Sequence, residues 1–144
     1  MGGGRPVRAP AVIRGGCLCG TIAYEVRALS GEPGHCHCRT CQKAHSAAFA
    51  TTARVKREDF RWTRGEQALR SYESTPGKLR HFCGLCGSHL MAEWVTLDQV
   101  ILRIGSVDEG LETMPVRHIW VSHRAAWDKG RDDLPRFEEG YPPK

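Results

Sequence analysis

No stretch of this 144-residue sequence is apolar over anything near the ~20 residues that a membrane-spanning helix needs. The opening MGGGRPVRAPAVIRGG carries basic residues but lacks the continuous apolar segment of a secretory signal. Internal repeats, low-complexity blocks and long linkers are also lacking, which excludes solenoids and repeat arrays. Without an export signal the chain is expected in the cytoplasm with its thiols reduced. An odd cysteine count also argues against a closed disulfide framework. What the chain has instead is seven cysteines grouped two, three and two, in 17-CLC-19, 36-CHCRTC-41 and 83-CGLC-86. Clustered thiols in a reducing compartment point to metal or catalysis.

The length suits one domain with a real core. Residues 1–11 read as a flexible tail, because Gly, Pro and Arg bury too little surface to order it. Residues 12–140 read as the folded domain and 141–144 as a C-terminal tail. The formal charge is +5, but seven thiolates holding two Zn²⁺ would lower it to +2. The basicity is therefore mostly offset inside the metal sites and gives little support for a nucleic-acid partner.

Strand signals dominate. In 21-TIAYEV-26, Ile22, Tyr24 and Val26 alternate with smaller or polar residues, as in a half-buried strand. Residues 48–55, 68–74, 79–83, 89–94, 99–107 and 117–122 read the same way, separated by turn clusters such as Thr75-Pro76-Gly77. Only 38–47 and a turn near 56–60 look helical. The expectation is a mainly β single domain, a folded sheet or sandwich with few short helices. The C-terminal stretch from Trp127 reads as an irregular tail laid over the body, anchored by Trp127, Leu134 and Phe137.

Cys17-x-Cys19 and Cys83-x-x-Cys86 each offer half of a tetrahedral thiolate site, and joining them makes a closed structural zinc with Zn–S near ~2.3 Å. Glycines around both pairs allow the tight turns that aim backbone amides at sulfur. Spacing alone also permits 17/19 with 36/38, and a four-thiolate site also accepts iron. Two plus two is the simplest partition and leaves the triple Cys36, Cys38, Cys41 intact. Three ligands with an open fourth position is the pattern of a reactive zinc. His35, His37 or His45 could instead supply a fourth ligand and close it. Three thiolates make a poor Lewis acid, so hydrolysis is not the natural chemistry. Such a site can hold a further sulfur as thiolate, the nucleophilic form. A thiol substrate with a small aldehyde fits.

These residues resemble a known family. GGCLCGTIAYEV, CHCRTCQKAHSAAF, FCGLCGSHL, HIWVSHRAAW and DDLPRFEEG are similar to the glutathione-dependent formaldehyde-activating enzymes, a family that also contains centromere protein V. The resemblance runs from about Gly15 to Gly140. It implies a mainly β fold with two zincs, a structural one at the positions of Cys17, Cys19, Cys83 and Cys86 and a catalytic one at Cys36, Cys38 and Cys41, the latter expected to be the more easily emptied. It further implies a carbon–sulfur lyase reaction joining formaldehyde to glutathione. One departure stands beside the second metal: the family commonly has a Ser-Gly pair where this chain has His45-Ser46.

Glutathione carries two carboxylates, so its site needs cations. Arg39 and Lys43 flank the triple at helical spacing, and Arg80, Arg117 and His118 are further candidates from neighbouring strands. His118 and Trp120 alternate around Ile119 and are expected to share a pocket wall. His37, between two ligands, suits a donor to a ligand sulfur or a proton shuttle. Asp132-Asp133 reads as solvated loop rather than as a catalytic pair. Against the lyase stands a zinc-stabilised module that binds protein or nucleic acid without catalysis, although no aromatic platform or basic recognition helix is present for the latter.

Overall fold

A computed structural model of the protein describes residues 11–129. In chain order its strands are β1 (Ile13–Gly16), β2 (Ala23–Val26), β3 (Gly34–Cys36), β4 (Ala50–Lys56), β5 (Phe60–Arg64) and β6 (Leu69–Thr75). Then follow β7 (Lys78–Cys83), β8 (His89–Trp94), β9 (Gln99–Arg103), β10 (Val107–Glu109) and β11 (His118–Ile119). Among the described residues there is a single α-helix, α1 (Arg39–His45). No described helix is long and apolar enough to cross a membrane.

The strands form two sheets, β10-β1-β2-β5 and β11-β3-β4-β9-β8-β7-β6. All pairings are antiparallel except β11 on β3, which is parallel. The alternation that marked 21–26 works as expected: Ile22, Tyr24 and Val26 point inward and are buried. They meet Val55, Leu90, Val100 and Leu102 from the larger sheet in one apolar cluster. The mainly β, two-sheet domain is thus the one the strand pattern predicts.

Three strands were hidden in the sequence. β1 and β3 are short and rich in Gly and Cys, so they show no alternation. In β5, Phe60 and Trp62 alternate with Arg61 and Thr63 and pack around Tyr24, but they follow directly on the 3-10 turn Arg57–Asp59. Two expected strands are shorter than their signals. The run 99–107 breaks at a 3-10 turn, Ile104–Ser106, where Ser106 Oγ donates to the Arg103 carbonyl at 2.7 Å and meets Tyr24 Oη at 2.6 Å. The chain crosses there from the larger sheet into β10 of the smaller one. The run 117–122 stops at Trp120, whose φ of 58° leaves the extended region. Trp127 is 70% exposed rather than an anchor on the body, and lies in a turn closed by Asp128 N–H donating to the Ala125 carbonyl. Leu134, Phe137, Asp132 and Asp133 lie outside the described residues.

Leu90 is fully buried in the shared core. Leu90→Ala is expected to lower stability by about 2–5 kcal/mol, as large-to-small changes at sealed apolar sites do. Urea unfolding followed by circular dichroism, with zinc held in excess, measures this. A loss below about 1 kcal/mol would show that the two sheets do not share one core.

Candidate metal centres

Cys17 and Cys19 sit just beyond β1, and Cys83 and Cys86 at the end of β7. Their four sulfurs all lie within 4.8 Å of one another. The Cys17–Cys19 sulfurs are 3.5 Å apart and Cys19–Cys83 3.8 Å. A tetrahedron of sulfurs at zinc–sulfur bond length has edges of roughly 3.8 Å. The two loops are built alike. Gly20 N–H donates to the Cys17 carbonyl and Gly87 N–H to the Cys83 carbonyl, and both glycines adopt φ near +80°, open to residues without Cβ. The turns aim amides at sulfur, Ile22 N–H to Cys17 Sγ at 3.2 Å and Leu85 N–H to Cys83 Sγ at 3.4 Å. Leu18 N–H donates to Ser88 Oγ at 2.9 Å, locking one loop to the other. Donor type, spacing and amide support fit a thiolate-bound metal.

The second cluster forms where β3 runs into α1. Cys36, Cys38 and Cys41 place their sulfurs within the same 4.8 Å limit, and among the described residues no histidine or carboxylate joins them. Cys38 caps α1, its sulfur accepting from Cys41 N–H at 3.3 Å. Three sulfurs this close do not ionise independently. The Cys36 thiol and Cys41 sulfur lie 3.6 Å apart. That contact holds Cys41 down at about 4 and pushes Cys36 well up. A bound divalent cation is what allows all three to be thiolates together, so this donor set also fits zinc.

The charge around this cluster is one-sided. A cleft of about 550 Å³ opens beside the sulfurs and is lined by Arg39, Arg54, Lys78, Arg80 and Arg103, with no Asp or Glu among its described residues. Arg80 is 3% exposed and sets two guanidinium nitrogens 3.9 Å from Cys41 Sγ. Arg103 is 4% exposed, and burial lowers it to about 10. Burial, then Arg80, also pulls Lys78 down. Interior cations without carboxylate partners are costly unless an anion answers them. The thiolates answer part of this charge.

The sequence-predicted residues distribute unevenly. Arg39 and Arg80 line the cleft; Lys43 does not, but lines an adjoining hollow with Arg39 and Tyr72. Arg117 turns away and donates to the Glu32 carbonyl. Trp120 lines the cleft, whereas His118 does not; its Nδ1 meets Nε2 of buried His37 at 2.8 Å, so His118 and Trp120 do not share a wall. His37 thus points to β11 rather than to a sulfur, and His35 pairs with Thr51. His45 lies against His89, ring centroids 4.8 Å apart. Ser46, at φ 50°, takes a left-handed cap position that glycine would adopt more easily. Sequence reading missed Arg54, Lys78, His89 and Arg103. Their strand positions were legible, but which strands lie side by side was not.

A model of the glutathione-dependent formaldehyde-activating enzyme family matches residues 12–123. Among solved structures, a Rhodobacter sphaeroides protein from the Northeast Structural Genomics effort superposes with a TM-score of 0.60 at 22% identity. The match covers 73% of this chain and 98% of that one, and shows a shared fold.

Burial, helped by Arg103 and His89, lowers His45 from 6.5 to about 3. The unfolded chain therefore takes up a proton below pH ~6.5 that the folded chain refuses until about pH 3, and stability falls across that window as pH drops. His45→Gln, which does not titrate, should lose less stability than wild type between pH ~6.5 and ~5. The slope difference should approach ~1 kcal/mol per pH unit. Parallel urea midpoints test it; identical slopes would mean that His45 is protonated in the folded protein.

Proposed function

The chain belongs to the glutathione-dependent formaldehyde-activating enzyme family, and from that premise we propose that it is a carbon–sulfur lyase-type enzyme joining a thiol such as glutathione to a small aldehyde. In this reading Cys17, Cys19, Cys83 and Cys86 hold a structural zinc, and Cys36, Cys38 and Cys41 hold a second, open one. Zinc at the second site would supply the positive charge that keeps a substrate sulfur as thiolate at neutral pH. The thiolate sulfur adds to the carbonyl carbon, the C=O π pair moves to oxygen, and that oxygen takes up a proton. The product is the hemithioacetal, S-hydroxymethylglutathione when glutathione meets formaldehyde, with no change of oxidation state. The observation that carries the reading is the cleft itself: three cysteines on one wall and five cations around them.

The chain's own residues divide the work. Arg80 and Arg103 offset the negative charge of the thiolates. Arg39, Arg54 and Lys78 offer charge-assisted hydrogen bonds to the two carboxylates of glutathione. Trp94, Ile101, Ile119 and Trp120 form the apolar side that excludes water. His37 acts as a positioning residue: it ties β11 to the loop between Cys36 and Cys38 through His118 and through its own N–H, which donates to the Ile119 carbonyl at 2.9 Å.

The two metal sites should differ in what they support. A closed site contributes its binding energy to folding, on the order of 10 kcal/mol in small zinc peptides. Cys86→Ser should therefore yield insoluble or unfolded protein, and Cys38→Ser a folded protein that retains one metal and no lyase activity. Solubility, circular dichroism and metal analysis decide it; equal folding of both variants would overturn the assignment.

Thiol binding at the second site should release a proton, because the sulfur binds as thiolate, and should strengthen as pH rises toward ~8.5. Arg39→Ala should weaken glutathione by about 1 kcal/mol and leave mercaptoethanol nearly unchanged. Calorimetry in two buffers of different ionisation enthalpy counts the protons. Absence of glutathione binding at millimolar concentration in zinc-loaded protein would remove the glutathione assignment.

A further inference from the structure

Arg103 ends β9 at the crossover between the sheets and lines two cavities. One is the cleft of the three cysteines. The other, about 730 Å³, is lined by Cys17 of the four-cysteine site and by His45, His89, Ser88 and Ser106 as well as Arg103. At 4% exposure, Arg103 has no hydrogen-bond partner for Nε or Nη2 among the described residues. These two nitrogens form one edge of the guanidinium, a pair of parallel N–H donors that matches the two oxygens of a carboxylate. Two further buried nitrogens, on residues that line the same cavity, are also unpartnered, His45 Nε2 and His89 Nδ1. Buried polar groups are nearly always satisfied, and a buried guanidinium edge is among the costliest to leave bare. Four such atoms on three neighbouring side chains are a built recognition surface.

We propose that Arg103, His45 and His89 form a carboxylate-binding subsite next to the three-cysteine cluster, with the Arg103 fork gripping the carboxylate and the two imidazoles completing its hydrogen bonds. The cavity holds one carboxylate of its own, Asp108, on its lining, so the ligand carboxylate belongs at Arg103, the residue this cavity shares with the three-cysteine cleft. This deepens the thiol–aldehyde reading and rests on it for the role of the ligand. The carboxylate has two sources: the thiol's own, or that of an oxo-acid carbonyl substrate such as glyoxylate.

The test uses zinc-loaded full-length protein and side-chain NMR of the histidines. Acetate and glyoxylate, but not acetaldehyde, should shift the His45 and His89 signals saturably. Arg103→Lys keeps the charge and loses the fork, and should weaken glyoxylate about 10–100-fold, the worth of one or two charge-assisted bonds. Competition then assigns the source. If 3-mercaptopropionate displaces glyoxylate and cysteamine does not, the carboxylate is the thiol's. If glyoxylate binds alongside 3-mercaptopropionate, it is the carbonyl substrate's. Either result supports the subsite. Absence of any carboxylate effect on His45 and His89 overturns it, and the wild-type signals alone are enough to overturn it should Arg103→Lys fail to fold. Cysteamine binding in cobalt-substituted protein, read from the visible spectrum, tests the thiol reading separately because cysteamine has no carboxylate.

Discussion

Thiolates packed a few ångströms apart repel, and this fold gathers seven cysteines into two such packs. In the first, sulfurs from two loops 64 residues apart in sequence approach to 3.8 Å. A bound cation turns that repulsion into a tie between the end of β1 and the end of β7, which belong to different sheets. The glycine turns at residues 20 and 87 and the amides aimed at sulfur are local devices serving the same end. The apolar core could pack the two sheets in several registers; convergence of four ligand atoms tolerates very few.

The second pack is answered differently. Its three sulfurs have no fourth protein ligand among the described residues, and the surrounding strands supply Arg80 and Arg103 in place of carboxylates or apolar groups. Burying two guanidinium groups without carboxylate partners costs stability that the core must offset. Positive charge in a low-dielectric cleft favours anions far more than the same charge on a surface would. The same burial that destabilises the fold therefore makes the cleft attractive to thiolates and carboxylates. The parallel pairing of β11 with β3 serves the same region, since it brings His118 to His37 and sets Ile119 and Trp120 at the cleft's edge.

The family likeness bears on chemistry more than on specificity. Cysteine motifs in fixed order make up the two candidate metal sites, whereas the cations that line the cleft come largely from β4, β7 and β9. His45 adds an imidazole to the lining of the second cavity, and Ser46 takes on a left-handed backbone that glycine would adopt more easily.

By itself the sequence determined the donor atoms and the class of fold. Cysteine is chemically distinctive, short chelating spacings close locally, and the period of two in 21–26 is dictated by the pleat of a half-buried strand. It also singled out Arg39 and Arg80 as cations for the cleft. Only the tertiary structure decided that Lys43 and Arg117 stand apart from that cleft. It alone placed His37 against His118 rather than against sulfur, and Arg54, Lys78 and Arg103 around the thiolates. These are matters of strand order: β4, β9 and β7 are distant in sequence and close in one sheet, and no local periodicity encodes which strand lies beside which. The break at residues 104–106 belongs with them. Its cause is a hydroxyl on Ser106 that bonds back to Arg103 and across to Tyr24, a contact made only once both sheets are in place.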